Sequence, residues 1–127
     1  MFNEIAMYPT LPATDVERAK DWYAEKLDLK PIDEGWGGYF YETKEGACFY
    51  IYPSNSAGTN EATAAAFFEV GDDFDEAVQQ LRNRDIELME FDYDGMSTEN
   101  GVMTDQDGNK AAWFEDSEGN TLAISSK

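Results

Sequence analysis

The sequence predicts an α+β fold in which one structural plan, β-α-β-β-β, is written twice. Three observations predict it. Two amphipathic helical stretches each follow a strand-like run, three more strand-like runs follow each helix, and a small polar segment separates the halves.

The first strand-like run is "NEIAMYPTL". Thr14 comes next, with Glu17 three positions later, the Ser/Thr-x-x-Glu pattern that satisfies the free amides of a helix start. Val16, Ala19, Tyr23 and Leu27 then recur at helical spacing, which predicts a helix over 15–27 with one apolar face. The runs "KPID", "GGYFYETK" and "ACFYIYPS" read as strands, with Gly37, Gly38, Glu45 and Gly46 marking turns. "SNSAGTNEAT", residues 54–63, is the candidate linker. "AAAFFEV" opens the second half, and Asp73 with Glu76 caps a helix over 73–84 whose apolar face is Phe74, Ala77, Val78 and Leu81. "IELMEFDYD", "GVMTDQ" and "KAAWFEDSEGNTLAISS" supply the remaining strands, broken at Gly95, Gly101, Gly108 and Gly119. The chain is thus one domain over 1–127, with module one at about 1–55, a linker at about 54–63 and module two at about 64–127.

With 42% hydrophobic and 14% aromatic residues, the chain has ample apolar surface to bury. Twenty-seven acidic against nine basic residues give a net charge of −18, which repels phosphate backbones and anionic lipid surfaces and argues against nucleic-acid or membrane partners. The acidity reads first as a solvated surface giving solubility or tolerance of high salt, and, near a pocket, as an attraction for cationic small molecules. Cys48 is the only cysteine, so no intramolecular disulfide forms, and its place in "ACFYIY" reads as a buried, inert thiol. No leader-like segment and no apolar run near ~18 residues is present, and a soluble, cytoplasmic protein is expected.

The chain contains no histidine, which excludes a Ser-His-Asp or Cys-His nucleophile. Asp105, Asp107, Asn109 and Asp116 fit part of a calcium-loop spacing, but Lys110 stands where the loop needs glycine, so a hairpin turn is the better account. "GWGG", residues 35–38, lacks the strand-loop-helix setting of a phosphate cradle and also reads as a turn. Glu69 is the candidate general base, should any catalysis occur, because alternation puts it on one strand face with Phe67. Tyr8, Trp36, Tyr39, Tyr41, Tyr50 and Phe67 are the candidate ligand-binding aromatics, expected on one concave surface with Glu69 as its charged group.

"LPATDVERAKDWYAEKLDL", "FFEVGDDFDEAVQQLRNRDIEL" and "WFEDSEGNTLAIS", in that order, resemble the glyoxalase, bleomycin-resistance protein and extradiol dioxygenase superfamily, also called vicinal oxygen chelate proteins. Asp28 stands where the family has glycine, and Ser117 and Glu118 replace Pro and Asp in the last motif. The resemblance implies a curled mixed sheet around a cavity. Its metal-dependent members carry four ligands at positions that fall here on Tyr8, Tyr50, Ala65 and Ala123. Phenols and alanines are poor ligands for divalent transition metals, so no metal and no cofactor is expected. The resemblance also implies a homodimer and, through its bleomycin-resistance branch, a metal-free binder of a small aromatic or cationic molecule; behind that reading stand a lyase or isomerase working through Glu69 or a tyrosine, and a dimeric scaffold whose cavity its own aromatics fill.

Overall fold

The computed structural model describes residues 1–4, 6–59, 64–93 and 96–127. The end of the anticipated linker, 60–63, and the turn at Gly95 fall outside the described residues. The chain forms two compact units: residues 1–59 together with 116–120, and residues 60–115 together with 121–127.

In the first unit the order is β1 (Thr10–Ala13), α1 (Val16–Leu27), β2 (Asp33–Gly35), β3 (Gly38–Glu42) and β4 (Cys48–Pro53). The sheet runs β1-β4-β3-β2, with β1 parallel to β4 and the other pairs antiparallel. The first strand is shorter than its sequence suggests, since only Thr10–Ala13 of "NEIAMYPTL" and its continuation forms a ladder, and Phe2–Glu4 makes a 3-10 turn. Helix α1 is capped by Asp15 instead of Thr14: Asp15 sits in extended backbone and its carboxylate accepts from the Arg18 amide at 3.0 Å. At the other end Asp28 adopts the left-handed conformation that the family glycine would supply (φ 57°). The apolar stripe of α1 is buried through Ala19 and Tyr23, against Leu11, Ala13, Tyr41 and Ile51 of the sheet.

The second unit repeats this plan with β5 (Ala66–Glu69), α2 (Phe74–Asn83), a two-stranded ribbon of β6 (Asp92–Tyr93) and β7 (Met96–Ser97), β8 (Met103–Thr104), β9 (Lys110–Glu115) and β10 (Thr121–Ser125). Its main sheet runs β5-β10-β9-β8, the first unit's order of first, last, third and second strand. Phe74 and Leu81 of α2 are buried with Ala112, Phe114, Leu122 and Ile124. The expected cap at Asp73 is absent. A 3-10 turn, Gly71–Asp73, feeds straight into α2, and the Asp73 side chain makes no capping bond. Among the described residues of the expected strand "IELMEFDYD" only Asp92–Tyr93 is strand, because those before it touch the sheet through one main-chain bond among the described residues, Met89 N to Trp113 O at 2.8 Å.

The turn 116–120 explains why two of the sequence motifs occur together, since they bond to each other inside the first unit. Tyr23 of α1 donates its hydroxyl to Asp116 at 2.7 Å, and Arg18 grips Glu118. Asp116 is filled by the amides of Glu118 and Asn120, and the Asn120 side chain reaches the Pro12 carbonyl at 2.8 Å. Asp116, Glu118 and Asn120 are buried polar residues with every carboxylate satisfied, the condition under which burial is tolerated. Among the described residues no helix is long and apolar enough to cross a membrane.

Candidate ligand site

Strand register sorts the aromatic side chains of the first sheet between its two faces. Tyr39 pairs with Ile51 and Tyr41 with Phe49, while Phe40 pairs with Tyr50. Paired residues point the same way and neighbours alternate. Tyr41 and Phe49 stack at 4.7 Å and both meet Tyr23 of α1, so their face is the helix face. Tyr39 belongs there too, with its hydroxyl donating to Glu17 and the Lys20 ammonium over its ring at 4.9 Å. The Glu17 bond, with burial second, pushes the Tyr39 phenol up to about 12.

The expectation that Tyr39 and Tyr41 share a concave surface with Tyr50 is therefore corrected. Tyr41 is a core residue with 0% exposure, and Tyr39 binds the outside of α1. In their place the open face carries Phe40 and Tyr52, which the site reading from sequence omitted. Tyr8 meets Phe40 edge-on at 5.8 Å, Phe40 lies 4.4 Å from Tyr50, and Tyr50 stacks along Tyr52 at 6.2 Å. These four rings form a continuous strip, with Tyr8 44% exposed and the other three half-buried. Offset and edge-on contacts of this kind favour aromatic partners as well as each other.

Trp36 stands at the tip of the β2-β3 hairpin, 89% exposed. Trp36 and Gly37 both have left-handed φ (50° and 79°), the geometry of a tight two-residue turn. The Tyr50 hydroxyl ties this turn to the strip, donating to the Gly35 carbonyl at 2.8 Å and the Trp36 carbonyl at 3.3 Å. Gly38 makes the approach possible, because a Cβ there would meet the Ile51 carbonyl at 2.1 Å. Cys48, expected buried, is half-buried, with its thiol donating to the Gly46 carbonyl.

In the second unit Phe67 pairs with Ala123, and Ala123 with Trp113, so these share the face turned from Phe68, Ile124 and Ala112. Glu69 follows Phe67 on that face, and both are exposed. Trp113, another residue the sequence reading passed over, meets Phe91 edge-on at 5.5 Å.

Charge is sorted by face as well. The register puts Asp33 and Glu42 beside Phe40 on the first open face, and Glu69 and Glu115 on the second. Strands β1 to β4 hold no lysine or arginine. Lys110, the lone basic residue in the second unit's main sheet, points to the helix side and pairs with Asp75 at 3.2 Å.

A transition-metal centre of the family type does not fit these residues. Ala65 and Ala123 offer no donor atom, the Tyr50 hydroxyl is committed to two carbonyls, and the chain has no imidazole. Among the described residues no three cysteine or carboxylate side chains gather as a metal site. The resembling calcium spacing is a self-closed turn: Asp105 accepts from the Asp107 and Asn109 amides and from the Asn109 side chain, which hold its carboxyl below the usual range.

Two β-α-β-β-β modules with matching strand order define a paired-module α+β protein. The model of the glyoxalase/bleomycin resistance protein/dioxygenase superfamily matches residues 3–124, and the chain belongs to that family. The fold is shared with oxidase ChaP-H2 (22% identity, 97% of this chain and 94% of that one, TM-score 0.68). It is shared also with lactoylglutathione lyase from Agrobacterium tumefaciens (14%, 95% and 92%, TM-score 0.70) and the fosfomycin resistance protein FosX from Mesorhizobium loti (13%, 98% and 92%, TM-score 0.64). A comparison with curated protein sequences finds no match.

Proposed function

We propose that the chain is a metal-free binding protein that holds a small aromatic cation on the open face of the first unit's sheet. The observation that supports this reading is the strip of Tyr8, Phe40, Tyr50 and Tyr52 flanked by Asp33 and Glu42, on strands without a basic residue. Ring faces attract cations by about 0.5–2 kcal/mol each, and nearby carboxylates add to that attraction. Trp36 would close over the ligand from the hairpin tip, and Phe67 with Glu69 would offer a second, similar surface. The solved relatives include an oxidase, a lyase and a resistance protein, so the shared fold alone selects none of these activities. We place the protein in the cytoplasm as a homodimer, consistent with its single cysteine and the exposed apolar side chains Met1, Phe2 and Met7.

The test pairs two readouts. Elemental analysis of purified protein should find no stoichiometric zinc, nickel, iron or manganese. A thermal-shift series with N-methylacridinium and with acridine carboxylate, at equal concentration, should show stabilisation by the cation alone, amounting to ~2.7 kcal/mol at a hundred times the dissociation constant. One tightly bound transition metal per chain, or stabilisation by the anion alone, would contradict the reading.

A further inference from the structure

We propose that the second unit carries a separate binding site for a small zwitterion of the aliphatic α-amino acid class, in a cavity between the end of α2, the segment 86–90 and the turn at Asn100-Gly101. The cavity holds about 420 Å³ and opens to solvent. Ile86 and Leu88 supply its apolar surface, and no aromatic ring lines it. Its charged lining is one guanidinium, Arg82, and two carboxylates, Glu87 and Glu90. The turn closes the cavity at Gly101, where left-handed backbone (φ 79°) and a close approach to Leu88 both require glycine, since a Cβ would fall 2.7 Å from the Leu88 Cβ.

The charges of this cavity are left open. Among the described residues Arg82, Glu87 and Glu90 take part in no ion pair, so no Arg82 nitrogen lies within 4.0 Å of either carboxylate. In a chain with twenty-seven acidic against nine basic residues, this arginine in the last turn of α2 donates its Nη2 to the Asn100 main-chain carbonyl instead. That bond takes one of the five guanidinium N–H groups and fixes where the rest are presented. Beside it, the Asn100 side-chain amide and the Gly101 main-chain N–H have no hydrogen-bond partner among the described residues, although Gly101 is buried. Donors therefore gather where α2 meets the turn, and carboxylate acceptors lie on the segment 86–90.

That division selects the ligand. A simple anion meets the repulsion of a chain at −18 and of Glu87 and Glu90 beside the one cation that would hold it. A simple cation meets Arg82 here and finds carboxylates without that penalty elsewhere on the surface. A zwitterion brings no net charge into the field and satisfies both ends. Its carboxylate takes the remaining N–H groups of Arg82 with the Asn100 and Gly101 donors, and its ammonium takes Glu87 and Glu90. An aliphatic side chain fits Ile86 and Leu88. The site shares no residue with the aromatic strip and selects a different chemistry.

The probe is L-leucine, titrated into the isotope-labelled full chain and followed by heteronuclear NMR at neutral pH. Isocaproate, which lacks the ammonium, and isoamylamine, which lacks the carboxylate, are titrated beside it. L-leucine should shift the Gly101 main-chain and Asn100 side-chain amides saturably, and each half-ligand should bind at least about tenfold more weakly, the effect of losing a bond to a charged group. Arg82→Gln should lose at least about tenfold in L-leucine affinity with Arg82→Lys between, and Glu87→Gln combined with Glu90→Gln should narrow the preference for L-leucine over isocaproate. No saturable shift at that turn, a half-ligand that binds as tightly as L-leucine, or a folded Arg82→Gln that binds like wild type would overturn the proposal. The three probes on wild type decide the matter even where a variant does not fold.

Discussion

Arg18 holds Glu118 with two parallel hydrogen bonds, Nε to Oε2 at 2.8 Å and Nη2 to Oε1 at 2.9 Å, across 100 residues of sequence. The Glu118 side chain is fully buried and the Arg18 side chain is 54% exposed, so the acid is fixed and the base covers it. Glu118 also accepts from the Asp15 amide at 2.9 Å and from Ser117, which ties the cap of α1 to the turn after β9. Glu118→Gln places an amide donor against the donors of Arg18 and Asp15. It should destabilise the protein by about 1.5–3 kcal/mol in urea unfolding, since bonds to charged groups are worth that much. A change within error would mean the turn is held by Asp116 and Asn120 alone.

The same residue sets an acid limit. Burial pushes the Glu118 carboxyl up, but the Arg18 bonds, the Asp15 amide and Ser117 together overcome it and hold it at about 2, below its ordinary 4.5. A carboxyl depressed in the folded state contributes stability that is complete above about 4.5 and is lost as pH falls toward about 2. Melting temperature should fall across that window in wild type and fall less in Glu118→Gln. Parallel curves for the two proteins would remove Glu118 from the account.

Among the described residues the buried Tyr41 hydroxyl has no hydrogen-bond partner, and burial pushes its phenol up to about 12. An unsatisfied buried group costs about 1–3 kcal/mol. Tyr41→Phe should therefore leave the melting temperature unchanged or raise it, and should leave ligand affinity unchanged, because Tyr41 faces α1. A clear loss of stability would show that the hydroxyl has a partner.

The fold was legible because the period of each helix was clean. Val16, Ala19 and Tyr23 on one helix, and Phe74 and Leu81 on the other, fell on buried faces as expected. The site was less legible, and β3 shows why. Tyr39, Phe40 and Tyr41 are consecutive aromatics, so neither face is marked by polarity, and a slip of one residue exchanges the faces entirely. Only the pairing of Phe40 with Tyr50 decides which ring joins the strip. Period two did put Glu69 on the face of Phe67. The bond between Arg18 and Glu118 lay hidden for a different cause: each residue sat in a motif of its own, and nothing local says that motifs at the two ends of the chain touch.

The most direct test of the aromatic strip is isothermal titration of N-methylacridinium into wild type, Tyr50→Ala and Tyr41→Phe, with circular dichroism to confirm folding. Tyr41→Phe should bind like wild type and Tyr50→Ala should lose at least about tenfold in affinity, or ~1.4 kcal/mol. Wild-type affinity in a folded Tyr50→Ala would contradict it and make Tyr8, Phe40, Tyr50 and Tyr52 ordinary packing.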